Sequence, residues 1–205
     1  MVDLKEFEQK AADLRVLGMK ISIGQDTVYE KYWDEDCRRN IYSASKSFTS
    51  CAVGFAVQEG LIDLDERLMD AFKEDIPNNP DENLKKATVK DLLTMTLGQE
   101  KGFLMGKQRP RMEEQNWVKA SLAIPFVYEP GTHFVYNNVG PYLAGILVQR
   151  RAGCDLLSYL TPRLLKPLGI RKTIWEVDPE GNTFGAGGLF LTVSELHKLG
   201  MFYLQ

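Results

Sequence analysis

The sequence predicts an α+β fold in which a mainly helical lobe packs against an antiparallel sheet. Three observations carry this expectation. An alternating, β-prone hairpin lies near the N-terminus, apolar residues recur at helical spacing through the middle, and the Gly-, Pro- and Asn-rich connectors are too short to separate domains. With 205 residues, 44% of them hydrophobic and 26% charged, the chain can bury its own core without disulfides or a structural metal. We expect one domain over residues 1–205, with residues 43–165 as the helical lobe and residues 1–42 and 166–205 associated with the sheet.

Residues 3–17 place Leu4, Phe7, Ala11 and Leu14 on one helical face, with Gly18 as the stop. Met19, Ile21 and Ile23 then alternate with Lys20 and Ser22, and residues 27–33 are again β-prone. Gly24-Gln25-Asp26 turns between them, which makes a hairpin. From Ser43, the stripe Phe48, Cys51, Ala52, Phe55 and Ala56 predicts a buried helix ending at Gly60. Further helices are expected over residues 65–72, 89–97 with Thr88 as N-cap, 113–122, 139–151 and 155–165, and a last one from Thr192. Pro77-Asn78-Asn79-Pro80, Pro130-Gly131 and Pro179-Glu180-Gly181-Asn182 are turn signals. Gly185-Ala186-Gly187-Gly188 lets the backbone pass close to another group, expected near Ser43. Because an isolated hairpin is marginal in water, more strands should complete the sheet.

Charge and composition exclude several classes of partner. Lys plus Arg number 25 against 28 Asp plus Glu, so there is no basic field to draw in nucleic acid. No apolar stretch approaches the ~20 residues of a membrane helix, so no membrane partner is expected. The opening Met-Val-Asp-Leu-Lys-Glu-Phe-Glu lacks the cationic and apolar regions of a signal peptide, which points to a cytoplasmic location. Cys37, Cys51 and Cys154 are odd in number and show no C-x-x-C spacing. His133 and His197 belong to no metal-ligating pattern and read as structural, so neither a disulfide framework nor a zinc site is expected. Trp33, Trp117 and Trp175 lie in separate elements and read as packing anchors.

Chemistry concentrates in Ile41-Tyr42-Ser43-Ala44-Ser45-Lys46-Ser47-Phe48-Thr49, where Ser43 opens a helix and Lys46 lies one turn on, on the same face. A serine hydroxyl becomes a nucleophile when a base takes its proton, and an ammonium becomes that base when its pKa falls. A buried helix desolvates Lys46, and the positive helix N-terminus disfavours a second positive charge. The same terminus offers the Ser43 N–H to an oxyanion. Taken alone, the pattern is weak, and Ser43 reads more readily as an N-cap. The second feature is Pro130-Gly131-Thr132-His133-Phe134-Val135-Tyr136-Asn137-Asn138. A tyrosine beside a cation can shuttle protons, and the Asn138 amide can bind a lysine head and a substrate carbonyl together. Alone, this stretch is also an ordinary loop leading into a helix.

Together, Ser43-Ala44-Ser45-Lys46 and, 93 residues later, Tyr136-Asn137-Asn138 resemble motifs of the penicillin-recognising serine hydrolases, in the branch of class C β-lactamases, DD-peptidases and esterases. The similarity extends through Thr88-Val89-Lys90-Asp91-Leu92-Leu93-Thr94-Met95-Thr96, Glu129-Pro130-Gly131-Thr132, Lys166-Pro167-Leu168-Gly169-Ile170 and Gly187-Gly188-Leu189-Phe190-Leu191-Thr192, in family order. The resemblance implies a β-lactamase/transpeptidase-like fold and an acyl-enzyme mechanism on a β-lactam, peptide-like amide or small ester. In that mechanism Ser43 attacks, Lys46 and Tyr136 share the proton traffic, and Asn138 orients lysine and substrate, without a cofactor. The family's third motif, Lys-Thr-Gly or His-x-Gly on a later strand, is absent from the sequence. That absence implies a C-terminally shortened member with an exposed sheet edge open to homodimer pairing. It also keeps open an alternative, a catalytically impaired binding or scaffold protein or a fragment.

Overall fold

A computed structural model describes residues 4–11 and 13–205. Among them lie nine α-helices and two small antiparallel ladders. The first ladder is the expected hairpin, β1 (Gly18–Ile23) against β2 (Asp26–Tyr32), with Gly18 opposite Tyr32 and a bulge between Ile21 and Ser22. The second pairs β3 (Arg39–Asn40) with β4 (Phe190–Leu191). Sequence reading did not find it, because two-residue strands show no periodicity. It does not extend the hairpin, which pairs with no third strand among the described residues.

Helix α1 (Lys5–Ala11) is shorter than expected. Asp3, where it was to begin, lies outside the described residues, as does Ala12. Leu14 and Leu17 are exposed, so the apolar spacing beyond Ala11 has nothing to pack on, and Gly18 opens β1 rather than stopping a helix. Helix α2 spans Ser45–Gln58. α3 (Leu68–Ala71) and α4 (Glu82–Lys86) are single turns, and α4, capped by Asp81, was not anticipated. α5 (Val89–Thr94) begins with a capping box between Thr88 and Asp91 and ends early because Met95 turns left-handed. α6 (Trp117–Leu122) begins four residues late because the Asn116 side chain caps it through the Lys119 N–H. α7 (Val139–Ala152) is followed by α8 (Leu156–Leu160), which runs into a π-turn at Thr161–Leu165 where Pro162 cannot donate. α9 (Val193–Tyr203) starts at the expected Thr192 cap.

The core is built around α7, which is buried on every side from Val139 to Gln149. Its principal neighbours are α2 and α5. Gly140 permits the approach to α5, since a Cβ there would stand 2.2 Å from the Leu92 carbonyl oxygen. The hairpin sits outside this core, and α9 covers it. Ser22 Oγ lies 2.9 Å from His197 Nε2, and Tyr32 Oη lies 2.9 Å from Ser194 Oγ. Trp117 packs edge-on to Tyr142 and Phe184, and the Trp175 indole donates to the Gly187 carbonyl. No helix among the described residues is long and apolar enough to cross a membrane.

Candidate active site

Ser43 lies in a 3-10 turn, Tyr42–Ala44, immediately before α2, and not on the α-helix itself. The α2 N-cap is Ala44, and no side chain caps either element, so the N-cap reading of Ser43 does not hold. Lys46 is in the first turn of α2 and reaches back, its Nζ 3.2 Å from Ser43 Oγ. Tyr136 approaches from the extended segment before α7 and donates its hydroxyl to Ser43 Oγ at 2.7 Å. Asn138 is the α7 N-cap residue, yet its side chain does no capping. Asn137 performs that task, accepting the Gly140 N–H at 3.1 Å. Freed in this way, Asn138 accepts from Lys46 Nζ through Oδ1 at 2.8 Å and donates Nδ2 to the Leu104 carbonyl at 2.9 Å. All four sequence-nominated side chains therefore meet in one cluster.

Two backbone carbonyls complete it. Lys46 Nζ also donates to the Ala186 carbonyl at 2.5 Å. Ala186 belongs to the Gly-rich stretch, and the next residue back, Gly185, accepts the Thr49 hydroxyl at 2.8 Å. The glycine pattern signalled this close approach; nothing in the sequence signalled Leu104. Residues Asn40, Arg109 and Glu176, which line the same region, were also missed because each stands alone in its segment without a motif.

The hydrogen-bond pattern around Lys46 bears on its protonation. Asn138 Oδ1 and the Ala186 carbonyl can only accept, because the Asn138 amide is oriented by its donation to Leu104. Lys46 Nζ thus faces three oxygens, of which only the Ser43 hydroxyl carries a hydrogen of its own. Burial drives the Lys46 pKa below its ordinary value; neighbouring Tyr136 opposes this, and the positive charge of Arg109 assists it. Burial alone would raise the Tyr136 phenol, but its hydrogen bond with Ser43 and the adjacent Lys46 outweigh that and hold it below the usual value. The Lys46 ammonium position is also 5.2 Å from the centre of the Tyr136 ring. Tyr136 remains 43% exposed, so the cluster opens to solvent on the serine side.

Neither histidine enters the site. His133 stacks on Tyr128 and contacts Thr132 Oγ1, while His197 serves the hairpin. Among the described residues no group of three or more His, Cys, Asp or Glu could hold a metal ion, and the three cysteines are unpaired.

Comparison with known proteins places the chain in a family. A profile described as Beta-lactamase matches residues 5–201. The chain is 31% identical over 157 residues to monacolin J acid methylbutanoyltransferase of Aspergillus terreus, an alignment covering 67% of this chain and 37% of that protein. It is 31% identical over 150 residues to lovastatin esterase of Penicillium rubens, covering 62% of this chain and 37% of the esterase. The octameric penicillin-binding protein homologue from Pyrococcus abyssi superposes with a TM-score of 0.75 at 24% identity, covering 98% of this chain and 56% of that one. At that identity the likeness concerns the fold, which is the β-lactamase/transpeptidase-like one expected. The matched stretch thus spans well under two thirds of each relative's length. By its profile match across nearly the whole sequence, the chain belongs to the Beta-lactamase family.

Proposed function

We propose that the chain carries an acyl-transfer centre in which Ser43 is the nucleophile. The observation that supports this most directly is the set of partners around Lys46: two carbonyls that can only accept and one hydroxyl that can give up its proton. Neutral Lys46 takes the Ser43 proton as Oγ bonds to the substrate carbonyl carbon, and the Ser43 N–H faces the developing oxyanion. As the intermediate collapses, the bond from carbon to the leaving group breaks. The leaving group takes a proton through the Tyr136 hydroxyl, which Lys46 re-protonates. Water then attacks the acyl-enzyme by the reverse relay. Asn138 holds Lys46 in place and presents its amide to the acyl group.

The substrate class proposed is a small ester or a strained or peptide-like amide. The transferase and esterase among the relatives favour the ester. The test is to mix the protein with p-nitrophenyl butyrate, a chromogenic cephalosporin and a fluorescent penicillin, following both turnover and intact mass. A Ser43-dependent burst with a stoichiometric mass increase is expected. A mass increase that survives Ser43→Ala refutes the nucleophile, and silence with all three probes favours a binding protein built on the same fold.

A further inference from the structure

Tyr42, the residue just before Ser43, has φ +48°, a left-handed conformation that non-glycine residues avoid and that persists only when neighbours enforce it. The residue is 74% exposed, so side-chain packing does not enforce it. The backbone is held instead. The Tyr42 N–H donates to Asn40 Oδ1 at 2.7 Å, and the Tyr42 carbonyl accepts from Ser45 Oγ at 2.6 Å. Asn40 is in turn fixed from behind: its Nδ2 donates to Glu176 Oε1 at 3.0 Å. The other Glu176 oxygen accepts from Arg109 Nη1 at 3.1 Å, and the Arg109 guanidinium lies 4.3 Å from the centre of the Phe184 ring. Glu176 can occupy this place because Gly188 has no side chain; a Cβ there would come within 2.5 Å of Glu176 Cβ.

We propose that Asn40, Glu176 and Arg109 form a positioning relay that holds the peptide before Ser43 in its left-handed conformation and so aims the serine hydroxyl at Lys46 and Tyr136. The proposal rests on reading Ser43 as the nucleophile. The three residues come from β3, from the segment before β4 and from the loop between α5 and α6, so the relay also ties that loop to the site. The same loop supplies the Leu104 carbonyl that orients Asn138. The charge of Arg109 additionally helps keep Lys46 below its ordinary pKa.

None of the three touches a reacting atom, so the signature of the relay is a loss in kcat with KM nearly unchanged. The experiment uses the full chain and Ser43-dependent hydrolysis of p-nitrophenyl butyrate, with melting curves to confirm folding. Asn40→Ala should lower kcat by roughly 10- to 100-fold, the scale of a misaimed group, and leave the acid limb of the pH profile in place. Because the residues act in series, Asn40→Ala combined with Glu176→Ala should lose no more than the worse single variant. Arg109→Ala should lower kcat and also move the acid limb upward, with Arg109→Lys restoring both in part.

The decisive arm is a rescue. Glycine adopts positive φ without support, so adding Tyr42→Gly to Asn40→Ala should recover most of the lost kcat. A purely structural role for Asn40 predicts no recovery. Wild-type kcat in Asn40→Ala, additive losses in the double variant, or no recovery in a folded rescue variant would each overturn the relay. If Asn40→Ala does not fold, the isosteric Glu176→Gln decides: a kcat loss of about three- to tenfold supports the relay, by the same sensitivity to aim, and wild-type kcat refutes it. Hydrolysis that survives Ser43→Ala would instead sink the nucleophile reading itself, whatever the relay variants do.

Discussion

Replacing Asn138 with aspartate changes one heavy atom and puts a full negative charge where Lys46 Nζ now meets an amide oxygen at 2.8 Å. At an effective dielectric constant of about 20, two unit charges at that separation attract by about 6 kcal/mol, equivalent to roughly four pKa units. The cluster is partly open to water, so a rise of roughly two to four units is the working expectation. The sign is unambiguous. Burial holds Lys46 below its ordinary 10.5, and the new carboxylate stabilises the ammonium and pushes it back up. Since the proposed base is the neutral amine, the acid limb of kcat/KM should move to higher pH, and activity at neutral pH should fall by at least about 100-fold. The assay is the pH profile of p-nitrophenyl butyrate hydrolysis, corrected for spontaneous cleavage, with Asn138→Ala as the uncharged comparator. The alanine variant should lose activity without an upward shift of the limb. An Asn138→Asp profile superimposable on the wild type would refute Lys46 as the base.

Three further outcomes are expected. Tyr136→Phe deletes the donor 2.7 Å from Ser43 Oγ and should lower kcat by about 10²- to 10⁴-fold with KM little changed, measured by steady-state kinetics. Gly140→Ala forces a methyl to 2.2 Å from the Leu92 carbonyl oxygen. Overpacking of this kind costs about 1–3 kcal/mol, roughly 2–12 °C in melting temperature for a chain of this size, and calorimetry should show it. Glu195→Gln should weaken the α9 capping box and the contact with Arg38. Burial raises the Glu195 pKa, but Arg38 and the Thr192 N–H outweigh it and keep it below the ordinary 4.5. A depressed carboxylate pKa stabilises the fold above the unfolded value. The deficit of the glutamine variant should therefore be full near neutrality and fade as pH falls below about 4.5, in denaturant titrations across that range.

The strongly periodic parts of the fold were legible. The hairpin alternates, α2 and α7 carry long apolar runs, and α9 begins at the expected Thr192, where the structure adds a capping box with Glu195. Helix length was overestimated where a competing cap or a left-handed residue intervened, as Asn116 does before α6 and Met95 after α5, because apolar spacing alone carries no stop at those points. The 39–40 and 190–191 ladder was invisible for want of length. At the candidate site, the side chains found from the sequence are those that occur in fixed short spacings: Ser43 with Lys46, and Tyr136 with Asn138. The residues that escaped notice act through backbone carbonyls, as Leu104 and Ala186 do, or through isolated contacts across the fold, as Asn40, Glu176 and Arg109 do. Tertiary placement alone gives them their neighbours, and no local pattern encodes it.

The split of duties between Asn137 and Asn138 has a mutational corollary. One amide secures the start of α7 and the next one meets Lys46, so on the proposed reading a substitution at position 137 should register as lost fold stability, and one at position 138 should in addition alter reactivity.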